Sequence, residues 1–224
     1  MKPVVLSPAL PIIPPQNAVA RVIADLEHCT AKLKDEKDSP YEVRRLFRDF
    51  VTMSQQITEM MRREFSARTG GTQWQASAFQ GWDATSHLFK VLRRTDFHET
   101  PFVIGVHDVL TFNTADVFGT QEKLGTIQQI GTWLMADPNA TEIPAPVTVS
   151  VGMPGTGIVA STPLTPIARE FRYFVLPGTV EISEALTAAG TQDVHLLVAR
   201  CIVILRDYVV FFQSRCAAWP SKTS

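Results

Sequence analysis

The strongest structural signal in the chain lies at residues 39–65, which read SPYEVRRLFRDFVTMSQQITEMMRREF. Ser39 is a preferred N-cap residue, Pro40 suits the first helical position because no hydrogen bond is needed from it there, and Glu42 completes a capping box. Apolar residues then recur every three or four positions: Val43, Leu46, Phe47, Phe50, Met53, Ile57, Met60, Met61 and Phe65. This spacing predicts a long amphipathic helix that ends before Gly70-Gly71.

The distribution of proline divides the chain into three parts. No proline lies between Pro40 and Pro101, whereas residues 138–177 hold nearly half of the fifteen prolines. Helix interiors exclude proline, because its ring removes an N–H and clashes with the preceding turn. We therefore predict an α+β fold, mainly α, in which an up-and-down helical bundle carries a small antiparallel β region and a long C-terminal helix.

Apolar spacing predicts three further helices. The first covers about residues 17–34, and the third covers about residues 74–94, with Gly81 weakening its centre. The last covers residues 193–216 and is apolar on most of its circumference. Such a helix is typical of the centre of a core or of half a subunit interface.

Between the helical parts, the sequence is typical of short strands separated by turns. Four β-branched or aromatic runs alternate with Gly, Pro and Asn: Phe102–Val109, Val147–Val151, Ile158–Ala160 and Phe171–Val175. We expect them to form a small antiparallel sheet. A short helix around residues 121–134 is compatible with this pattern.

The composition limits the classes of function. The 224 residues are 45% hydrophobic, which is sufficient for a large core, and 21 Lys+Arg against 22 Asp+Glu give a formal net charge of −1. Nucleic-acid binders are usually basic, so the chain has no global electrostatic field for RNA or DNA. A local patch remains open, because arginines cluster along the predicted helices: Arg44, Arg45, Arg48, Arg62, Arg63, Arg68, Arg93 and Arg94.

Three features indicate a cytoplasmic protein with no membrane span. The three cysteines form no C-x-x-C pair, which is typical of reduced thiols. The apolar residues 193–216 carry charges near their middle, at Arg200, Arg206 and Asp207. Five prolines interrupt residues 1–16, so we interpret this segment as an extended arm and not as a signal peptide.

The sequence predicts no cofactor and no metal site. The glycine cluster at residues 152–157 lacks the Gly-Lys-Ser/Thr ending of a phosphate loop and is typical of a hairpin turn. His98, His107 and Asp108 match no strong metal-binding spacing. His107 and Asp108 are also neighbours on a predicted strand, where adjacent side chains point to opposite faces, so they do not make a catalytic pair.

The main functional candidate is the pair Arg93 and His98, five residues apart at the end of the predicted third helix. A neutral histidine can take the proton from a 2′-hydroxyl of RNA or return one to the leaving oxygen, since its pKa lies near working pH. An arginine can stabilise the charge that builds on the phosphate. The pair therefore suits RNA cleavage without a metal. The alternative is a solvated arginine on a helix end and a histidine that starts a loop.

Three segments resemble HEPN-type helical domains: Leu46–Phe65, Phe79–Trp82 and Leu92–Glu99. The resemblance covers about residues 17–100 and implies an up-and-down bundle that often dimerises. In active members, an Arg-polar-x3-His motif from each protomer meets its copy across the interface and forms a metal-independent ribonuclease centre. Arg93 matches the arginine and His98 the histidine. The family has a polar residue, commonly Asn, Asp or His, directly after the arginine, and this chain has Arg94 there. Asp96 lies close enough in sequence to supply the missing polar group.

We therefore expect four segments: a Pro-rich arm at 1–16, a HEPN-like bundle at 17–100, a β-rich region at 101–177, and a C-terminal helix at 178–224 that packs on the bundle or on a partner. The predicted function is a metal-independent endoribonuclease of defence or toxin type. Arg93 and His98 are the predicted catalytic residues, and Arg94 and Asp96 are predicted to bind substrate. The alternative is a non-catalytic homodimeric interaction or ligand-binding protein. The expected partners are RNA and a second copy of the chain.

Overall fold

The computed structural model describes residues 18–35, 39–98, 102–113, 126–135, 149–152, 159–162 and 167–218. In these ranges the helices are α1 (Ala18–Asp35), α2 (Pro40–Thr69), α3 (Ala84–His98), α4 (Val180–Ala189) and α5 (Val194–Ala217). The strands are β1 (Ile104–Asn113), β2 (Thr126–Met135), β3 (Val149–Gly152), β4 (Val159–Thr162) and β5 (Ala168–Val175). The fold is α+β and mainly helical, as predicted. The predicted arm at 1–16 and most of the glycine cluster lie outside the described residues.

Helix α2 begins and ends where the sequence predicts. Ser39 Oγ accepts a hydrogen bond of 3.4 Å from the backbone N–H of Glu42, and Pro40 stands at the start of the helix. Gly70 follows the last turn with a φ of 71°, a left-handed conformation that glycine adopts at low cost. Its N–H donates to the carbonyl of Ser66, so the helix end is satisfied.

The prediction of a third helix is wrong over residues 74–83, because α3 begins at Ala84. The N–H of Ser86 donates to Asp83 Oδ1 at 2.9 Å, and the N–H of Asp83 donates to Ser86 Oγ at 3.0 Å. This reciprocal cap satisfies N–H groups at a new helix start. The preceding residues form a loop with one 3-10 turn at Ala76–Ala78, and α3 continues past the predicted end to His98.

The helical end of the chain contains two helices in the described residues, where the sequence patterns predict one. Helix α4 is capped by Thr179, whose Oγ1 accepts from the N–H of Ile182 at 3.2 Å, and it ends at Gly190 with a φ of 69°. Helix α5 follows as predicted. Its N-cap is Asp193, whose carboxylate accepts from the N–H of Leu196 at 2.8 Å.

The described strands form two antiparallel sheets, one of order β2-β1-β5 and one that pairs β3 with β4. The four predicted strands are confirmed, with ends shifted by a few residues. The prediction of a short helix around residues 121–134 is wrong from residue 126 onward, where the structure has strand β2. Residues 126–135 pair with β1 along their whole length, and Ile127, Ile130 and Thr132 are β-branched residues that favour a strand. Residues 121–125 lie outside the described part.

Helix α5 is central to the packing of the fold, because it contacts α1, α2, α3 and β5. The loop before α3 is fixed to it by a hydrogen bond of 2.7 Å from Trp74 Nε1 to the hydroxyl of Tyr208, and both side chains are buried. One face of the sheet joins the same core through Ile104, Val106 and Tyr173. Among the described helices, none combines the length and apolarity needed to cross a membrane.

Candidate functional site

A groove lies between α2 and α3, and we call it the α2–α3 groove. It consists of two adjoining cavities of about 500 and 470 Å³ with four lining residues in common: Gln55, His87, Lys90 and Arg93. Helix α5 adds Cys201 and Leu205 to the lining of the second cavity. Helix α4 adds Glu181 to the first cavity, so two consecutive helices and two helices from the end of the chain form the groove.

Helix α3 turns a mainly polar face to this groove because Leu88, Phe89 and Leu92 are buried on the other side. The buried Val91 borders the first cavity. His87, Lys90 and Arg93 recur at three-residue intervals, which places them on one side of the helix. His87 and Lys90 are exposed, and Arg93 is half-buried. The amphipathic pattern of α3 thus brings an imidazole and two cations together.

The charges of the groove are unevenly placed. Among the described residues, the first cavity is lined by three cations, Lys90, Arg93 and Arg94, and by one acid, Glu181, which forms an ion pair with Arg94. The second cavity carries both signs, with Glu59, Arg62 and Asp83 in its lining. An anion is therefore attracted most strongly to the first cavity, beside Lys90 and Arg93.

The structure places the two predicted catalytic residues on one helix. Arg93 lines the α2–α3 groove and interacts with other protein groups there. His98 is the last residue of α3, and its side chain lies outside the described part of the structure. Five positions along an α-helix correspond to a rotation of about 140°. The role of the pair stays a prediction, and within one protomer the two helix positions do not share a face.

The two predicted substrate-binding residues form ion pairs with other elements. Arg94 pairs with Glu181 and so joins α3 to α4. Asp96 accepts a hydrogen bond of 2.7 Å from Arg48 Nε on α2, and its side chain is only 4% exposed. Both residues therefore help to hold α3 against its neighbours. Their part in substrate binding stays a prediction, and it would compete with these pairs.

His87 and Lys90 are the site residues that the sequence reasoning missed. Their signal is the spacing His87-x2-Lys90-x2-Arg93, which the predicted helix over residues 74–94 already contains. The sequence does not show which residues of α2 lie opposite these three side chains. Because α2 packs beside α3, the polar face of α3 lines a groove.

The three cysteines have surroundings that disfavour the thiolate. Cys29, Cys201 and Cys216 are all buried. Burial raises the pKa of Cys29 to about 11 and also raises the pKa of Cys201 in the lining of the groove. Both therefore remain protonated thiols near neutral pH, and the thiolate is the form that attacks. Cys201 contributes apolar surface to the groove.

The other candidates weighed from the sequence have structural partners. The His107 ring packs on Phe174, with centroids 4.3 Å apart, whereas Asp108 accepts two hydrogen bonds from Arg169. The two residues thus meet different partners, as expected for neighbours on a strand. Within the described ranges there is no cluster of three or more His, Cys, Asp or Glu side chains that could hold a metal ion.

The α2–α3 groove combines donors for an anion with an exposed imidazole that can exchange a proton. The chain matches no family model, no curated protein and no solved structure. The resemblance to HEPN-type domains and the cytoplasmic location therefore stay predictions.

Proposed function

We propose that this protein is a HEPN-like protein that binds the phosphate groups of RNA in the α2–α3 groove. One observation supports the proposal above the others: Lys90, Arg93 and Arg62 line the same groove together with His87. Arginine offers a planar fork of donors that matches phosphate oxygens, and lysine adds a compact charge. A local site of this kind agrees with a formal net charge of −1, which gives no general attraction for nucleic acid.

The binding proposal predicts a specific loss for the double variant Lys90→Ala/Arg93→Ala. A hydrogen bond to a charged group contributes about 1.5 kcal/mol or more, so the loss of two phosphate contacts lowers RNA affinity by at least about a hundredfold. The dependence of log affinity on log salt also becomes shallower by about 1.4, since each contact to a single strand contributes about 0.7. Fluorescence anisotropy with a labelled RNA oligomer in EDTA measures both quantities.

The matched control is Arg21→Ala/Lys32→Ala, which removes one arginine and one lysine that are exposed on α1 and do not line the groove. The control lowers net charge equally and is expected to bind RNA nearly as the wild type does. Equal affinities of the two double variants would refute the proposed site. No RNA binding by the wild-type protein at low salt would refute the function.

A second candidate function is metal-independent cleavage of the bound RNA, and it is favoured because His87 and Arg93 line the same two cavities. In this reaction an imidazole takes the proton of a 2′-hydroxyl, and the 2′-oxygen attacks the adjacent phosphorus. The bond from phosphorus to the 5′-oxygen breaks, and that oxygen leaves with a proton from a second acid. Arg93 stabilises the added negative charge. His98, predicted from the HEPN resemblance, and His87 are the two candidates for the imidazole.

We also propose that the protein is a homodimer that associates through α5. Leu196, Val203 and Val210 are 42%, 53% and 63% exposed at seven-residue intervals, which places them on one side of the helix. The variant Val203→Asp/Val210→Asp is expected to sediment as a monomer, because two charges on this side oppose burial. Val180→Asp on α4, where the valine is 76% exposed, is the control and remains dimeric. A wild-type protein that sediments as a monomer at micromolar concentration contradicts the proposal.

A further inference from the structure

Trp82 is an exposed aromatic side chain whose position is fixed. It lies in the loop before α3 and is 36% exposed. Its Nε1 donates to the carbonyl of Ala76 at 2.9 Å, and its ring packs on Phe79 and Tyr208 at centroid distances of 5.2 and 4.5 Å. An indole with its N–H already bonded and two rings behind it keeps its remaining surface in one orientation.

The fixed indole stands in the lining of the α2–α3 groove. Trp82 lines the same cavity as Lys90, Arg93 and Arg62. An aromatic surface beside phosphate-binding cations is the combination that single-stranded nucleic acids require, because every base has a π-face and every nucleotide has a phosphate. An isolated phosphate or a sulfate ion would use only the cations and would leave the indole without a partner.

The cationic lining continues along α2 beyond this cavity. Arg62 also lines a neighbouring cavity of about 780 Å³, together with Arg63 and Ser66. The α2 residues that line the groove or this neighbouring cavity run from Ser54 to Ala67, which is about 20 Å of helix. That length accommodates more than one nucleotide of an extended strand. The two cavities share Arg62, so a strand can pass from one to the other along this side chain.

We propose that the α2–α3 groove takes single-stranded RNA, with one unpaired base stacked on Trp82 and one phosphate at Lys90 and Arg93, and that the strand continues into the neighbouring cavity, where Arg62 and Arg63 hold a second phosphate. The inference rests on the proposed function and names its substrate class. A base in a duplex is already stacked on both faces, so it cannot lie on the indole. The site therefore selects unpaired RNA over a duplex of the same sequence.

The length of the ligand tests the two phosphate subsites. Binding of uridine monophosphate and of labelled di-, tetra- and octauridylate is measured with wild-type protein and with Arg62→Ala/Arg63→Ala. Affinity for the wild type rises from the monophosphate to the tetranucleotide. The variant loses about tenfold or more for the tetranucleotide and little for the monophosphate. Equal losses for both ligands, or wild-type affinity that does not depend on length, would overturn the second phosphate subsite.

The indole is tested by Trp82→Leu and Trp82→Phe on the tetranucleotide. Trp82→Leu is expected to lose about tenfold in affinity, because stacking on an aromatic ring contributes on this scale, and Trp82→Phe recovers most of it. Thermal unfolding of both variants shows whether the loop has kept its structure. If both folded variants bind as the wild type does, or if duplex RNA binds as tightly as the single strand, the inference is wrong. Equal affinity for the matching DNA oligomer would overturn the assignment to RNA.

These outcomes separate the inference from the function on which it rests. If Lys90→Ala/Arg93→Ala loses binding while the Trp82 and Arg62→Ala/Arg63→Ala variants bind as the wild type does, the RNA-binding function stands. The proposed positions of the base and of the second phosphate are then wrong. Failure of every oligomer to bind the wild-type protein removes both.

Discussion

The His98→Ala protein is expected to cleave RNA 10²- to 10⁴-fold more slowly than the wild type in the presence of EDTA, a factor typical of a lost general acid or base. The expectation follows if the pair of Arg93 and His98, predicted from the sequence, acts across a dimer. The measurement is the decay of a labelled single-stranded RNA, followed on a gel at neutral pH. His28→Ala is the matched control, because His28 is exposed on α1 and does not line the groove.

The same assay decides between the two imidazoles. If the groove histidine exchanges the proton, His87→Ala shows the large loss and His98→Ala remains close to the wild type. Arg93→Ala is expected to lose at least about a hundredfold in either case, since it removes a charge that stabilises the transition state. If the wild-type protein leaves single-stranded and structured RNA intact at micromolar concentration, the proposed cleavage function is wrong. The binding experiment still tests the α2–α3 groove as a phosphate site.

The largest effect on stability is expected for Arg169→Ala. Asp108 is buried, with a side chain that is 1% exposed, and it accepts hydrogen bonds of 2.9 and 2.8 Å from the guanidinium of Arg169. Removal of the arginine leaves a buried carboxylate without its partner. Such losses cost about 3–5 kcal/mol, and we expect about 3 kcal/mol because the Arg169 side chain is 39% exposed and water can partly replace it. The midpoint and slope of urea unfolding give the value.

The control for this prediction lies on the same strand. Arg172 pairs with Glu170 at 3.2 Å, with both side chains largely exposed, so Arg172→Ala is expected to cost less than about 1 kcal/mol. Replacement of both partners by leucine, in Asp108→Leu/Arg169→Leu, is expected to recover part of the loss because no charge is then left buried. Equal destabilisation by Arg169→Ala and Arg172→Ala would contradict the argument.

The sequence predicted α2 and α5 from local signals, whereas the cap at Thr179 and the glycine stop at Gly190 that bound α4 were missed. Helix α2 was accessible because its cap at Ser39, its apolar spacing and its glycine stop all agree, and α5 because Asp193 precedes a long apolar run. The break before α3 was not accessible, because the apolar spacing continues through residues 74–83 while the cap at Asp83 competes with it. Strand β2 has β-branched residues that favour a strand, but its pairing with β1 cannot be predicted from a local pattern.

The candidate site was predicted only in part for the same reason. Arg93 was singled out from the sequence, and it does line the groove. The groove itself depends on the packing of α2 against α3 and α5, which separate parts of the chain provide. The partners of Arg94 and Asp96 are equally distant, since Glu181 and Arg48 lie on other helices. A motif therefore identified one side chain, and tertiary structure determined what its neighbours do.

The place of α5 in the fold has a consequence for synthesis on the ribosome. Helices α1 to α3 are complete at residue 98, but α5 begins only at Val194. Until residues 194–217 have emerged, the apolar side chains that pack on this helix, such as Trp74, remain open to solvent. Nascent chains that stall in the intervening segment are thus expected to be clients for chaperones and proteases, because they present an uncovered hydrophobic surface.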